Sequence, residues 1–466
     1  MPLYGAVLIY TLCMYPLLLF QYSGLKFLIT SCQSWRPHAV ISQMTISPTT
    51  PLSSVKTTRF IRVEWRFLLF GMIMAFWSSL GQTFFISLFS DDIRAALGLS
   101  HGDFGTYYAI ATTASAISLL WLGKLADTMR LEKLALLILF SLCSAAIFFS
   151  QINSIIMLVF GLYLLRMFGQ GMMTHVYSTA MARRYVAARG RAISIAQLGH
   201  TISESVGPAG VVALHALLDW RTIWIILPLS ALILVAPFLR QLTRRTALQD
   251  GEGIDGIQTT DQTQDNANQT SASDHWRRRD VLIDPRFWLA ILWLVAVPSF
   301  VLTGLLFHQL FLADAKGVAL SHWTASYVLY AVFAVIGSLT IGQLIDRFSA
   351  RRVAPHTLLP NALACLALLF GSVELGVPLF FIFFGLAIGM PHTANTALVA
   401  EIYGTRFMGE IKALFLLVTV FASALSPMIM GGMIDVGFGL DALLGLNIIV
   451  PLAAQFLATL VLHIRR

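Results

Sequence analysis

Apolar runs of near-bilayer length recur along most of the chain, separated by short segments that carry charged residues, Gly or Pro. A helix needs about 20 mostly apolar residues to cross a bilayer core, and these runs have that length. The runs lie at about 65–89, 104–126, 133–150, 154–180, 191–215, 221–240, 287–312, 323–345, 353–371, 377–400, 411–434 and 441–463. The pattern therefore predicts an all-α polytopic membrane protein with twelve transmembrane helices.

One long polar stretch, at 241–286, separates the sixth predicted helix from the seventh and contains GEGIDGIQTTDQTQDNANQTSASD. It has no apolar period and is typical of a flexible linker. We therefore expect a six-helix bundle at 65–240, the linker at 241–286 and a second six-helix bundle at 287–466. An extension and tail at 1–64 precede them.

Residues 1–43 admit three interpretations, because the apolar run at 7–20 is followed by Lys26 and Arg36. The run could be an additional helix or a cleaved targeting segment. It could also be an artefact of translation upstream of a start at Met44. The polar MTISPTTPLSS that begins at Met44 is typical of a cytoplasmic tail, and no small-residue cleavage site follows the apolar run.

The distribution of basic residues predicts the orientation of the chain. Twenty-five of the 31 Lys and Arg residues fall on one side of the predicted membrane, and only Arg94, Arg221 and Lys316 fall on the other. Cytoplasmic loops retain Lys and Arg. We therefore expect the linker and both ends of the twelve-helix unit to be cytoplasmic, in the inner or plasma membrane. The net charge of +8 then indicates no nucleic-acid partner.

Composition excludes several classes of protein. Charged residues make up 12% of the chain, against about 25% in soluble domains, which excludes a soluble enzyme. The sequence has no phosphate-binding Gly-Lys-Ser/Thr loop of a pump, no HExxH, and no large signalling domain of a sensor. Its four cysteines stand singly, so we expect no disulfide framework, metal or cofactor.

An internal repeat relates the two halves at an offset of about 219 residues. The coincident pairs are Gly123 and Gly342, Asp127 and Asp346, Gly190 and Gly409, and Pro208 and Pro427. Parallel repeats of this kind leave a cavity at their interface and rock about it. The repeat therefore predicts two pseudo-symmetric bundles.

Two copies of one loop motif carry a family resemblance. The first is Gly123-Lys-Leu-Ala-Asp127-Thr-Met-Arg130 and the second is Gly342-Gln-Leu-Ile-Asp346-Arg347-Phe-Ser-Ala-Arg351. Both are similar to the Gly-x-Leu-Ala-Asp-Arg-x-Gly-Arg-Arg signature of the major facilitator superfamily, which the chain resembles over about 60–466. The resemblance implies alternating access, with these residues in gating. The glycines would permit close helix approach, and the aspartates would meet neighbouring helix N-termini.

Two further segments extend the resemblance. Gly207-Pro208-Ala-Gly210 resembles a Gly-Pro element of antiporter branches, but Ser203 departs from its glycine spacing, so antiport is not inferred. These residues predict a kinked, tightly packed site in helix 5. The Arg-rich stretch at 183–191 is similar to the monocarboxylate and oxalate/formate exchange branches.

Two opposite charges fall at similar depths in sequential helices. At about 1.5 Å per residue, Arg166 lies about 18 Å into helix 4 and Glu204 about 20 Å into helix 5. An ionisable group at mid-bilayer costs about 2.5 to 3.5 kcal/mol and usually faces a cavity or a partner. Arg166 is predicted to bind an anionic substrate group or to pair with Glu204, whose carboxylate would take and release a proton. A static structural ion pair is the alternative.

Further polar residues are candidate cavity walls. Tyr163, Gln170 and Thr174 share a helical face with Arg166, and His200 lies one turn from Glu204. Gly389-Met-Pro391 is expected to interrupt helix 10 and expose backbone groups to a site. The remaining candidates are His392 and Asn395 in helix 10 and Gln82 in helix 1.

The sequence favours a secondary active transporter of a small organic solute, such as an organic anion of the monocarboxylate type. Protons or a counter-substrate would be the coupling partner, and the chain would function as a monomer in the lipid bilayer. The main alternative is a drug or metabolite efflux antiporter, because aromatic and Met residues are frequent in the predicted helices.

Overall fold

The computed structural model describes residues 57–185, 189–243, 276–404 and 407–464. Within these ranges the chain is helical and contains no β-strand. The segment 1–43 with its three interpretations, and most of the predicted linker, lie outside the described residues.

In the part of the chain that the structure describes, twelve long helices form two bundles of six, which confirms the predicted fold class. In the N-terminal bundle these are α1 (Thr57–Trp77, with a second arm Thr83–Leu97), α2 (His101–Leu122), α3 (Leu131–Ser150), α4 (Ile155–Arg184), α5 (Arg189–His215) and α6 (Trp220–Thr243). In the C-terminal bundle they are α7 (Phe287–Phe307), α8 (Leu320–Phe348), α9 (Ala350–Phe370), α10 (Val373–Tyr403), α11 (Met408–Asp435) and α12 (Leu440–Ile464).

Length and composition suit these helices to a membrane. Nine helices in the described residues are long and apolar enough to cross a membrane, and α1 becomes the tenth when its two arms are counted as one span. The other two, α2 with 22 residues and α5 with 27, are also long enough but are more polar.

Local sequence fixes several helix ends. Ser100 and Asp103 form a capping box at the start of α2, so each side chain accepts a hydrogen bond from the other's backbone N–H. The Ser154 and Ser372 hydroxyls cap α4 and α10, because each accepts a hydrogen bond from the backbone N–H three residues later. Gly98 ends the second arm of α1 with φ of 64°, a conformation that suits glycine.

The expected interruption of α10 is wrong. The helix runs unbroken from Val373 to Tyr403 through Pro391. Gly389 serves another purpose, because a Cβ there would overlap the backbone carbonyl of Ala334 in α8. Its missing side chain lets α10 and α8 pack closely, and packed neighbours allow a membrane helix to continue through proline.

The break occurs in α1 instead. Its two arms, Phe60–Gly81 and Thr83–Leu97, meet at an angle of 48°. Between them, Gln82 has extended backbone with φ of −90° and ψ of 154°. The regular hydrogen bonding of α1 is interrupted at this point, which frees backbone groups inside the N-terminal bundle.

Candidate functional site

The break in α1 lies directly against an irregular turn of α4. Residues Arg166–Met173 form a π-helical turn, a feature that is frequent at functional sites. Gly81 and Gly169 bring the two backbones together, since a Cβ on Gly81 would lie 2.8 Å from the Gly169 Cα. Two glycines and two irregular backbones thus create one buried junction.

Arg166 occupies this junction and is only 3% exposed. Its Nη1 donates to the Gly81 carbonyl oxygen at 3.2 Å and to Thr83 Oγ1 at 3.4 Å. The guanidinium lies 5.0 Å from the centre of the Tyr108 ring, and the Tyr108 hydroxyl hydrogen-bonds Thr83 Oγ1 at 2.6 Å. Its Nε is buried without a hydrogen-bond partner.

The predicted alternative of a direct pair between Arg166 and Glu204 is not formed in this structure. Within the described residues, the contacts of Arg166 are to a carbonyl, a hydroxyl and an aromatic ring, and no carboxylate lies within ion-pair distance. The α1 break supplies these contacts. The buried guanidinium therefore has partial dipoles around it but no counter-charge.

Glu204 pairs instead with His200, one turn earlier in α5. His200 Nε2 lies 3.5 Å from Glu204 Oε1, and both side chains are mostly buried. His200 Nδ1 is buried and has no hydrogen-bond partner among the described residues. Tyr327 and Tyr330 of α8 lie close enough to Glu204 to interact electrostatically with its carboxylate. A proton acceptor of the N-terminal bundle thus faces two phenols of the C-terminal bundle.

The other candidates on α4 have no hydrogen-bond partner in common with Arg166 among the described residues. The Tyr163 hydroxyl donates to Ser118 Oγ of α2 at 3.1 Å. Gln170 and Thr174 are half-buried. Gln82 of α1 is also half-buried, at the break itself.

A cavity of about 360 Å³ lies within the C-terminal bundle. Its lining includes His392 and Asn395, the two predicted residues of α10. His392 is exposed and lines this cavity. Asn395 also lines it and donates through Nδ2 to the Leu294 carbonyl oxygen at 3.2 Å. Within the described ranges, no cluster of His, Cys, Asp and Glu side chains could hold a metal ion.

The bundles contact each other at the end opposite the linker, which we call the distal end. There Asp435, the last residue of α11, accepts hydrogen bonds from the backbone N–H groups of His101 at 2.9 Å and Gly102 at 2.7 Å. An anion at a helix N-terminus is stabilised by the orphan N–H groups and the helix dipole. Asp435 therefore latches α11 to α2.

Polar and glycine contacts extend this closure. Gln309 Nε2 donates to Phe84 O at 2.9 Å and Ser87 Oγ at 2.7 Å, and Ser87 donates to Leu306 O at 2.8 Å. At Gly105 of α2, a Cβ would lie 2.6 Å from the carbonyl carbon of Pro427. The distal end is thus closed by backbone-to-backbone packing and by hydrogen bonds between the bundles.

The predicted gating loops lie at the linker end and form no comparable latch among the described residues. Asp346 is exposed and Arg347 stacks on Phe348. Arg351 pairs with Glu401 at 3.5 Å, within the same bundle. Arg130 lines a separate cavity of the N-terminal bundle with Arg183, Arg184 and Arg240. The side chain of Asp127 lies outside the described residues.

The close helix approaches expected at four glycines are wrong. A Cβ on Gly342 or Gly210 would meet no other atom within 4 Å, and on Gly207 it would make ordinary contacts of 3.6 Å with Ser203 Oγ and 4.0 Å with Phe84 Cε2. Beyond its own helix, Gly123 has only the His175 ring nearby, at 3.5 Å. Pro208 is buried and α5 continues through it.

A buried polar cluster at the linker end joins α1 to the end of α4. Glu64 Oε2 accepts hydrogen bonds from Arg184 Nε at 3.1 Å and from the Tyr185 hydroxyl at 2.6 Å. Burial, and then the hydrogen bond to Glu64, raise the pKa of the Tyr185 phenol. The cluster fixes the linker ends of α1 and α4 relative to each other.

Comparison with known proteins identifies the family to which this chain belongs. A family model described as Major Facilitator Superfamily matches residues 68–427 and 310–466. A search of curated proteins finds no match.

Solved structures share the fold. A bacterial homolog of the human lysosomal transporter Spinster, in an inward-facing and unoccupied conformation, has a TM-score of 0.61 at 18% identity, over 86% of this chain and 95% of that chain. The nucleoside transporter NupG has a TM-score of 0.64 at 11% identity, over 86% of this chain and 98% of that chain. With the family model matching most of its length, this chain belongs to the Major Facilitator Superfamily of membrane transporters.

Proposed function

We propose that this chain transports small organic anions by alternating access and that Arg166 binds the anionic group. The observation that carries the proposal is a buried guanidinium without a carboxylate partner among the described residues. A buried charge without a counter-charge costs several kcal/mol, whereas a neutral side chain of similar size would not. The cost is offset if a substrate carboxylate supplies the missing charge during transport.

The free hydrogen-bonding capacity of Arg166 supports this role. A guanidinium carries five N–H donors. In the described chain, both hydrogen bonds of Arg166 use Nη1, Nε is buried, and Nη2 has no hydrogen-bond partner. Arginine recognises carboxylates through two parallel N–H bonds. The existing contacts hold the guanidinium in place and leave donors for the substrate.

Glu204 is proposed to couple transport to protons. Its carboxylate pairs with His200 of its own helix and interacts electrostatically with Tyr330 of the opposite bundle. Rocking of the bundles would separate Glu204 from Tyr330 and change the solvation of its charge, which changes proton affinity. With the linker cytoplasmic, as the distribution of Lys and Arg favours, a structure closed at the distal end would be open toward the cytoplasm.

A ligand screen on the purified protein tests the substrate class. Thermal-shift measurements would compare organic acids with nucleosides and with cationic drugs. Stabilisation by monocarboxylates, absent in Arg166→Gln, is the expected result. Stabilisation by cationic drugs or nucleosides alone would contradict the proposal and favour the alternative of drug or metabolite efflux.

Flux assays in proteoliposomes test the role of Arg166 in transport. Arg166→Lys should lower flux at least about tenfold, because a compact ammonium cannot reproduce the planar two-pronged contact. Arg221→Lys is the matched control, since Arg221 also donates two hydrogen bonds through Nη1 and lies over an aromatic ring, but outside the site. Equal flux in the two variants would remove Arg166 from substrate recognition.

A further inference from the structure

A buried histidine lies where α2 covers the C-terminal bundle at the distal end. His308 directly follows α7 and is only 3% exposed. Its Nε2 lies 3.0 Å from the Pro427 carbonyl oxygen of α11. Gly105 of α2 packs against the same carbonyl, since a Cβ there would overlap it, and the His101 ring of α2 lies 5.9 Å from the His308 ring, centre to centre. The opposite bundle therefore covers His308 when the distal end is closed.

The hydrogen bond to Pro427 fixes the tautomer of the neutral His308 ring. A carbonyl oxygen only accepts, so Nε2 carries the hydrogen and Nδ1 holds the free lone pair. Nδ1 has no hydrogen-bond partner among the described residues. A proton taken up by Nδ1 would therefore create a buried charge and a donor without an acceptor. The closed distal end suits neutral His308 and disfavours the imidazolium.

The charged groups that face His308 add to this preference. Arg94, on the second arm of α1, and His101 both act against a positive charge on the His308 ring. Asp91 pairs with Arg94 at 2.7 Å. Asp435 of α11 favours a positive charge on His308, but it is exposed and already accepts two backbone hydrogen bonds from α2. Burial and two basic groups are thus opposed by one exposed carboxylate.

We propose that His308 is a proton-binding site and that its protonation opens the distal end. Opening removes α2 from the ring, so that water solvates the imidazolium and accepts from Nδ1–H. A group that binds a proton only in the open conformation shifts the population toward that conformation as the pH falls, and the closed conformation returns as the pH rises. Such opening is part of the proposed alternating access, on which the inference rests, and does not depend on the substrate.

The size of the response follows from the titration of a solvated imidazole. Such a ring has a pKa of about 6.5, so it is protonated about ten to one at about pH 5.5 and almost entirely neutral at about pH 8. The ratio of open to closed molecules should therefore rise about tenfold between these two pH values. Aspartate carboxyls titrate near pH 3.9, so Asp435 stays charged throughout and cannot produce the response.

Distances between spin labels on the two bundles measure the response. Labels at Ala96 and Asp441, both exposed at the distal end, are placed in the purified full chain without other cysteines and measured at both pH values. The parent should gain a longer-distance population at the lower pH. His308→Gln should lack this gain, because the glutamine amide can still donate to the Pro427 carbonyl oxygen but takes up no proton.

His215→Gln is the matched control. His215 is also a histidine of the distal end, but its partner Asp92, at 2.9 Å, belongs to the same bundle, so separation of the bundles leaves the pair intact. This variant and Glu204→Gln should both keep the parent's response to pH. A response that is lost in Glu204→Gln or in His101→Gln, and kept in His308→Gln, would assign the proton to that other residue and overturn the inference.

Gly105→Ala separates failure of this inference from failure of the proposed alternating access. Its added Cβ overlaps the Pro427 carbonyl and should open the distal end at both pH values. If Gly105→Ala opens while the parent does not respond to pH, or if His308→Gln responds as the parent does, the proton site is refuted and alternating access stands. If no variant opens the distal end at either pH, both are contradicted.

Discussion

Closure of the distal end depends on the absence of a side chain at Gly105. A Cβ there would lie 2.6 Å from the carbonyl carbon of Pro427 and 2.9 Å from Met428 N. Both are backbone atoms, which cannot move aside without displacing α11. Gly105→Ala should therefore separate α2 from α11 and favour the conformation that is open at the distal end.

The magnitude follows from the overlap. Ordinary Cβ contacts begin at about 3.4 Å, so the helices must separate by roughly 1 Å, which forfeits a quarter to half of the dispersion energy of each affected contact. Overpacking of this kind costs about 1–3 kcal/mol. A cost of about 2 kcal/mol shifts the equilibrium between the two conformations about thirty-fold toward distal opening.

Gly432→Ala is the matched control at the same helix crossing. A Cβ on Gly432 meets no atom within 4 Å, and the gain in helix propensity is the same in both variants. Only the steric overlap differs between them. The control should therefore keep the parent's conformational distribution.

Double electron–electron resonance, which measures the distance between two spin labels, provides the assay. Spin labels would be placed at Ala96 and Asp441, two exposed positions at the distal end on opposite bundles, in a background without other cysteines. Gly105→Ala should add a longer-distance population that the parent and Gly432→Ala lack. Identical distance distributions in the two glycine variants would refute the steric account of closure.

Three further predictions concern charges. Asp435→Asn should weaken the contact between α11 and α2 by about 1 kcal/mol, or about five-fold, because two exposed hydrogen bonds lose their charge assistance. The same pair of spin labels measures the resulting distal opening, and an unchanged distance distribution would exclude a latch. Glu204→Gln should retain substrate exchange but lose accumulation driven by a pH gradient in proteoliposomes, unlike the exposed control Glu374→Gln, and normal uphill transport would remove Glu204 from coupling. Asp346→Asn should slow interconversion more than it weakens binding, and a tenfold loss of affinity at unchanged turnover would contradict a gating role.

The sequence was sufficient to predict the fold because helix length and apolar runs are local properties. The two-bundle division follows from the repeat, which is visible in one dimension, whereas α2 begins at His101, three residues before the predicted start near 104. The break in α1 was not predicted, although the small and polar run from Ser78 to Gln82 was a usable signal. Backbone breaks depend on what packs against them, here Gly169 of α4.

The candidate site could be predicted only in part for the same reason. Arg166 was identified because a charge in an apolar run is conspicuous. Its contact Tyr108 was missed, since aromatic residues are common in membrane helices and carry no local signal. Asp435 was missed because a charged residue at a helix end is ordinary, and only the juxtaposition of α11 with the start of α2 gives it a partner.

The central claim is that Arg166 recognises a carboxylate, and the most direct measurement compares a bound acid with its isosteric primary amide. Titration of the purified protein with the best acid from the thermal-shift screen, and with the corresponding amide, gives the contribution of the charge. The parent should prefer the acid at least about tenfold, and Arg166→Gln should bind the two equally. A preference for the acid that is unchanged in Arg166→Gln would contradict the account.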